Sequence, residues 1–261
     1  MKKNVYLHMH SPNGWCMYVI EKVFFVFNNK MKKSFKMKWI GLAACVLLGL
    51  FTVSCNKEEK TIFRNGDWVD LGLPSGLLWA TRNVGATSPE DYGDYFAWGE
   101  TQPNKQFYDG FSYIYMERGD HSFQLTKYCN DPLFGYNGFA DNLNILQPGD
   151  DAATANFGGR TPTKEEWEEL MNNTTATWTT QNGVNGLLFS AINGNSLFLP
   201  AAGYHYGNSP DFYGRRGHYW SSSLYTDSPY YAWRFHFKSD YQMVQEESRY
   251  FGFPVRAVRQ K

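Results

Sequence analysis

Cysteine is scarce and poorly placed for cross-linking. Of 4 cysteines in 261 residues, Cys16, Cys45 and Cys55 fall early, and only Cys129 lies in the remaining chain. A lone thiol excludes an intramolecular disulfide and a zinc site built on paired cysteines, so the domain must be held by packing. Long apolar runs are also lacking. The stretch from Trp39 to Val53 has 15 residues, short of the roughly 20 that a helix needs to cross a bilayer. Positive charge is in deficit once the N-terminal segment is set aside. The first 55 residues carry 8 of the 25 basic residues and 1 of the 25 acidic ones, which leaves 17 against 24, a net charge of −7. An acidic surface does not bind a phosphate backbone, which requires clustered Lys and Arg, so nucleic acid is excluded as a partner. No G-x-S-x-G frames a nucleophile, and His121, His205, His218 and His236 stand in no triad pattern. No catalytic residue, metal site or cofactor is expected.

The N-terminus carries the clearest signal that is present. A basic stretch from Lys30 to Lys38, the apolar run from Trp39, and small Ser54 before Cys55 form a lipoprotein signal over residues 31–55, with Cys55 as the acylated residue. Thr52 stands where Leu is usual in such a lipobox, which keeps a plain secretory signal open as the alternative. Residues 1–30 read as an over-extended gene start, because Met31-Lys32-Lys33 itself opens an ordinary signal. The alternative is a true extension around Val23–Phe27, which has neither the length of a span nor a helix cap. Residues 56–66 begin with Asn56-Lys57-Glu58-Glu59-Lys60 and form a charged tether. Its reach of about 36 Å keeps the domain close to the membrane.

Residues 67–261 supply enough chain for one cored domain. Its many aromatics, Gly and Asn suit short strands joined by tight turns. Trp68 to Trp79 reads as two short strands around a Pro74-Ser75-Gly76 turn, a predicted hairpin, and Asn193-Gly194-Asn195 predicts another. Tyr92 to Glu100 reads as core packed under a loop, and residues 101–145 as a long irregular excursion. Two short helices are predicted. One is capped by Asp150 and Asp151 and runs through Asn156. The other, over 164–172, opens on the capping box from Thr163 to Glu166 and buries Trp167, Leu170 and Met171. Glu165, Glu166, Glu168 and Glu169 then spread over solvated faces rather than forming a metal cluster. Alternation places Trp233, Phe235 and Phe237 on one face of a strand, with Arg234 and His236 opposite, and does the same for Phe253, Val255 and Ala257. The predicted class is α+β, with short antiparallel strands, two short helices and an aromatic-rich core.

Between Tyr204 and Tyr250 lie nine of the 18 tyrosines, interleaved with Asn, Ser, Asp and His. Large rigid rings beside small polar groups make a recognition surface, and exposed tyrosine also stacks on sugar rings. The candidate ligand contacts are Tyr206, Asp211, Tyr213, Tyr225, Asp227 and Tyr230, with Arg234 and His236 framing the same surface; continuation of the aromatic core is the competing reading. The excursion over 101–145 is the alternative location for the site.

Several blocks carry a resemblance: Val69 to Thr81, Asn83 to Ala86, Tyr92 to Glu100, Asp150 to Ala153, Arg160 to Leu170, Leu199 to Gly203, Tyr219 to Ser223 and Gly252 to Arg259. In this order they resemble the Fibrobacter succinogenes major paralogous domain of Bacteroidetes lipoproteins, over about residues 68–259. The resemblance implies a C-type lectin-like frame related to that of formylglycine-generating enzymes, whose terminal strand the closing Gly252-Phe-Pro-Val-Arg-Ala-Val-Arg259 is similar to. A fold implies no activity, and Cys129 has no base beside it in sequence. Relatives carry Cys where this chain has Arg82, which leaves Cys129 an orphan thiol. Gln102-Pro103-Asn104 imitates the sugar-contacting triplet of C-type lectins, but no Trp-Asn-Asp partner follows, and it reads as a turn. The Tyr-rich segment resembles, in position, the variable segment of diversity-generating retroelement targets. Lys57-Glu58-Glu59 is similar to the acidic export signals of surface lipoproteins. Together these imply a non-catalytic recognition or adhesion module, lipid-anchored on the outer membrane and surface-exposed, with a protein or glycan ligand. The alternatives are an extracellular enzyme on the same fold and a calcium-dependent lectin.

Overall fold

The computed structural model describes residues 66–119 and 122–261. Residues 1–30, the signal over 31–55 with Cys55, the tether up to residue 65, and His121 lie outside the described residues.

The chain opens on β1 (Trp68–Asp70) and β2 (Leu78–Ala80), paired antiparallel with Val69 opposite Trp79. The expected turn joins them: Gly76 takes φ 71° and its N–H donates to the Leu73 carbonyl at 2.9 Å. Next comes β3 (Tyr95–Phe96), inside the aromatic block, where Tyr95, Phe96, Ala97 and Trp98 are all buried as expected. The excursion after it is mostly irregular but carries one small hairpin, β4 (Met116–Arg118) with β5 (Phe123–Leu125).

Both predicted helices form. In α1 (Ala152–Asn156), Asp151 caps the start by accepting from the Ala153 N–H. In α2 (Lys164–Asn173), Thr163 and Glu166 satisfy each other's backbone N–H groups as a complete capping box. None of the four glutamates there gathers around a common point. Glu166 binds Arg160, Glu168 faces Lys164, and Glu169 accepts from the Ser75 N–H and hydroxyl.

Three antiparallel strands follow α2: β6 (Thr174–Gln181), β7 (Val184–Ala191) and β8 (Ser196–Pro200). The short hairpin β9 (Tyr204–Tyr206) and β10 (Ser209–Asp211) leads to a second three-stranded sheet of β11 (Gly217–Leu224), β12 (Tyr231–Lys238) and β13 (Tyr241–Ser248). Finally β14 (Phe253–Pro254) pairs with β3, and β15 (Val258–Arg259) pairs with β2, returning the C-terminus to the opening hairpin. The described chain is mostly β, in small antiparallel sheets. With helices of only 5 and 10 residues, the α+β expectation overweighted the helical share.

Two expectations about strand faces are corrected. β12 has both faces covered: Phe235 stacks on Trp167 from α2, while Arg234 and His236 on the other face are only 4% exposed each. The closing segment is not one half-exposed strand either. Residues 253–258 are buried on every side, and pairing breaks between β14 and β15. There the fully buried Arg256 donates to Asn83 Oδ1 (2.9 Å) and to the carbonyls of Ala80 (2.9 Å) and Phe198 (3.1 Å). Burial pushes this guanidinium down to about 10, and the three acceptors stand in for water. Alternation cannot anticipate a charged residue held by carbonyls.

Trp79, Trp167, Leu199, Phe235 and Phe237 lead one core cluster, which joins α2 to the sheets β6–β7–β8 and β11–β12–β13 and to the opening hairpin. A second holds Trp98, Tyr128, Trp220 and Phe253, under the excursion.

Candidate ligand-binding groove

The excursion and the C-terminal strands meet at β9. Tyr108 and Gly207 exchange backbone hydrogen bonds (2.8 and 2.9 Å), and His205 and Gly252 do the same (2.9 Å each). Two glycines permit this junction. Gly207 opens the two-residue β9–β10 turn at φ 59°, the positive value that such a turn demands at its first position. At Gly252 a Cβ would sit 2.5 Å from the Tyr108 ring, so no side chain fits there.

Arg249 ties the same region from below. It is fully buried; Nε donates to the Tyr113 hydroxyl (2.9 Å), and the terminal nitrogens donate to the carbonyls of Lys127, Tyr128 and Pro229. Its guanidinium carbon lies 4.8 Å from the Trp98 ring centroid. One side chain thereby fixes the excursion to the loop between β11 and β12.

Above this frame lies an open groove of about 540 Å³, within the range of about 300–1,000 Å³ usual for small-ligand sites. Six rings line it: Phe111 and Phe123 from the excursion, and Tyr206, Tyr230, Tyr231 and Tyr250 from the C-terminal strands and their loops. Asp109, Ser122 and Ser248 add polar groups, with Gly110 and Met116 completing the lining. Phe111 meets Phe123 edge-to-face (4.7 Å, 88°) and is 77% exposed. It is presented by an Asx turn in which Asp109 Oδ1 accepts from the N–H groups of Phe111 and Ser112 (3.0 and 2.9 Å). Opposite, Tyr206 stacks on Phe251 (4.9 Å, 17°) and Tyr250 on Phe251 (5.4 Å, 23°). Tyr230 donates its hydroxyl to the Phe123 carbonyl, joining the two walls, and burial pushes its phenol up. Among the described residues no Lys, Arg or His lines the groove.

Of the eight residues predicted from sequence, Tyr206 and Tyr230 line this groove. Tyr213 instead packs against Tyr92 and Tyr95 and shares a hydrogen bond with His205. Asp211 accepts from the Tyr204 hydroxyl (3.3 Å) and the Phe212 N–H (2.8 Å). Tyr225 sits edge-on to Trp233 (5.1 Å), and Asp227 is exposed in the loop beyond. Arg234 and His236 are too buried to frame an open surface. Arg234 reaches Glu247 (3.4 Å), and His236 stacks on His218 (4.4 Å, 30°). Sequence reasoning missed Asp109, Phe111 and Phe123 as individual contacts, although the excursion was the alternative location. The Asp109-Gly110-Phe111-Ser112 turn, with a large ring at its tip, was the available signal.

Two further sequence readings can be placed. Asn104 takes φ 51°, and its side chain accepts from the Tyr95 N–H and donates to Asp94, so the Gln102-Pro103-Asn104 triplet lies in a bent segment whose Asn104 is engaged within the protein. Cys129 is buried, its thiol donates to the Asp131 carbonyl (3.1 Å), and burial pushes that thiol up. Among the described residues no group of three or more His, Cys, Asp or Glu side chains could hold a metal ion.

Residues 163–258 match a family model described as a domain of unknown function (DUF8237). The match opens at the cap of α2 and takes in the tyrosine wall of the groove but not the wall formed by Asp109, Phe111 and Phe123. No curated protein and no solved structure matches the chain.

Proposed function

We propose that this protein is a non-catalytic ligand-recognition module, displayed at the outer membrane surface by a lipid on Cys55 and binding its ligand in the aromatic groove. The observation that carries the reading is the meeting of six aromatic side chains, from two distant parts of the chain, around one open concavity. Loops set on a rigid frame are where recognition is usually carried, and tyrosines bring contact area at little cost in side-chain entropy. A C-type lectin-like arrangement belongs to the same proposal. It is supported by the short antiparallel strands, by the long excursion, and by the closing strand that pairs back on the opening hairpin. A recognition role also accords with the buried, protonated Cys129, which is not in the thiolate form that nucleophilic catalysis requires.

The test is a binding screen of the purified protein against host and bacterial surface extracts, followed by Tyr206→Ala and Tyr225→Ala. Tyr206→Ala is expected to weaken the captured ligand by about 1–2 kcal/mol, and Tyr225→Ala, outside the groove, to leave it unchanged. The reverse pattern would move the site to the loop between β11 and β12. Turnover of glycan, peptide or sulfate-ester substrates that a single polar substitution abolishes would overturn the non-catalytic reading.

A further inference from the structure

Resting on that reading of the groove, we infer that its ligand is an uncharged oligosaccharide, held by ring stacking and hydroxyl contacts without calcium. Among the described residues the lining holds no cation and one carboxylate, Asp109. A phosphorylated, sulfated or carboxylated ligand would bring its negative charge against aromatic faces and Asp109 with no cation of the described lining to pair it, a desolvation cost without compensation.

The groove also presents uncommitted polar groups. The Tyr230 hydroxyl is bonded to the Phe123 carbonyl. Those of Tyr206, Tyr231 and Tyr250 have no partner among the described residues. Asp109 uses Oδ1 for its turn and leaves Oδ2 uncommitted there. The groove therefore offers flat apolar faces with a rim of phenols, serine hydroxyls and one carboxylate oxygen. A pyranose has the matching chemistry, with an apolar C–H face and hydroxyls around its edge that donate as well as accept.

A stable protein partner buries about 800 Å² on each side, whereas a concavity of about 540 Å³ suits a compact ligand. Tyr206 is placed to carry the stacking: it is 53% exposed, and Phe251 backs its ring at 4.9 Å and 17°.

The test is an array of neutral, sialylated and sulfated oligosaccharides probed with the purified full-length protein in EDTA, followed by titration calorimetry on the hits. Neutral oligosaccharides are expected to bind in EDTA. Tyr206→Ala should weaken them at least ten-fold, and Tyr206→Phe, which keeps the ring, should weaken them only a few-fold. Thermal melting of both variants near wild type would show that the loss is not unfolding. Binding confined to anionic glycans, abolished by EDTA, or absent for every neutral glycan would overturn the inference. If a peptide library instead yields a ligand that Tyr206→Ala releases, the groove stands as the site and only its saccharide assignment falls. If neutral glycans bind and Tyr206→Ala leaves them unaffected, the groove itself falls as the site.

Discussion

Trp167 has no exposed surface, its ring lies 4.9 Å from Phe235 at 11° and 4.9 Å from that of Trp79, and its Nε1 donates to the Trp220 carbonyl (3.3 Å). Truncation would open a cavity where α2 meets both strand layers, so Trp167→Ala is expected to cost about 3–5 kcal/mol in urea unfolding. Thr163→Ala removes one cap and should cost about 1 kcal/mol. Equal losses would mean that α2 is not anchored through its tryptophan. Arg249 depends on shape rather than charge alone. Lysine keeps the charge but loses the fork that serves three carbonyls and the Tyr113 hydroxyl. Arg249→Lys is therefore expected to cost about 3 kcal/mol, with carbonyls left unpaired. A melting curve unchanged from wild type would show that water replaces the fork at no penalty.

At the level of elements, local signals were read well and long-range ones were not. Thr163 and Glu166, Asp151, Gly76 and the Asn193–Asn195 turn each act within a few residues, and each lies where the sequence placed it. β6 was not anticipated, because Thr174 to Gln181 carries little apolar alternation and takes its order from pairing with β7. The groove was half legible. The tyrosine wall was visible in composition, but its meeting with Phe111 and Phe123 depends on the Tyr108–Gly207 bridge, which spans about a hundred residues. The two-sided burial of β12 was also beyond alternation, and it has a consequence for pH. His218 on β11 and His236 on β12 face each other, with Arg216, Arg234 and Lys238 nearby and Glu247 and Tyr241 at the margin. Burial, then Arg234, holds His218 well below the usual histidine range and pushes His236 down to about 3. Both are neutral in the folded state, whereas in the unfolded chain they take up protons near pH 6.5. Their contribution is thus fully present above about pH 6.5 and is lost progressively as pH falls below it. Unfolding measured between pH 7 and 5 should show this slope, and His218→Phe should flatten it. An unchanged slope in His218→Phe would place the titration elsewhere.

On the scale of the whole molecule, the proposed display and recognition are expected to be separable. The described domain closes on itself when β15 pairs with β2, so it begins and ends beside one hairpin, and residues 56–66 join it to Cys55. Under the proposed lipid anchor, a tether of about 36 Å at full extension would hold such a domain near the bilayer, and the net negative charge of the chain after Cys55 would discourage its collapse onto an anionic lipid surface. Acylation requires the Cys55 sulfur, whereas the groove draws all its contacts from residues 109–250. Cys55→Ala is therefore expected to abolish incorporation of labelled fatty acid and to move the protein out of the membrane fraction, while ligand affinity and melting temperature stay at wild-type values. Labelling that survives Cys55→Ala would refute the lipid assignment. A loss of affinity along with the lipid would mean that the anchor helps to build the site.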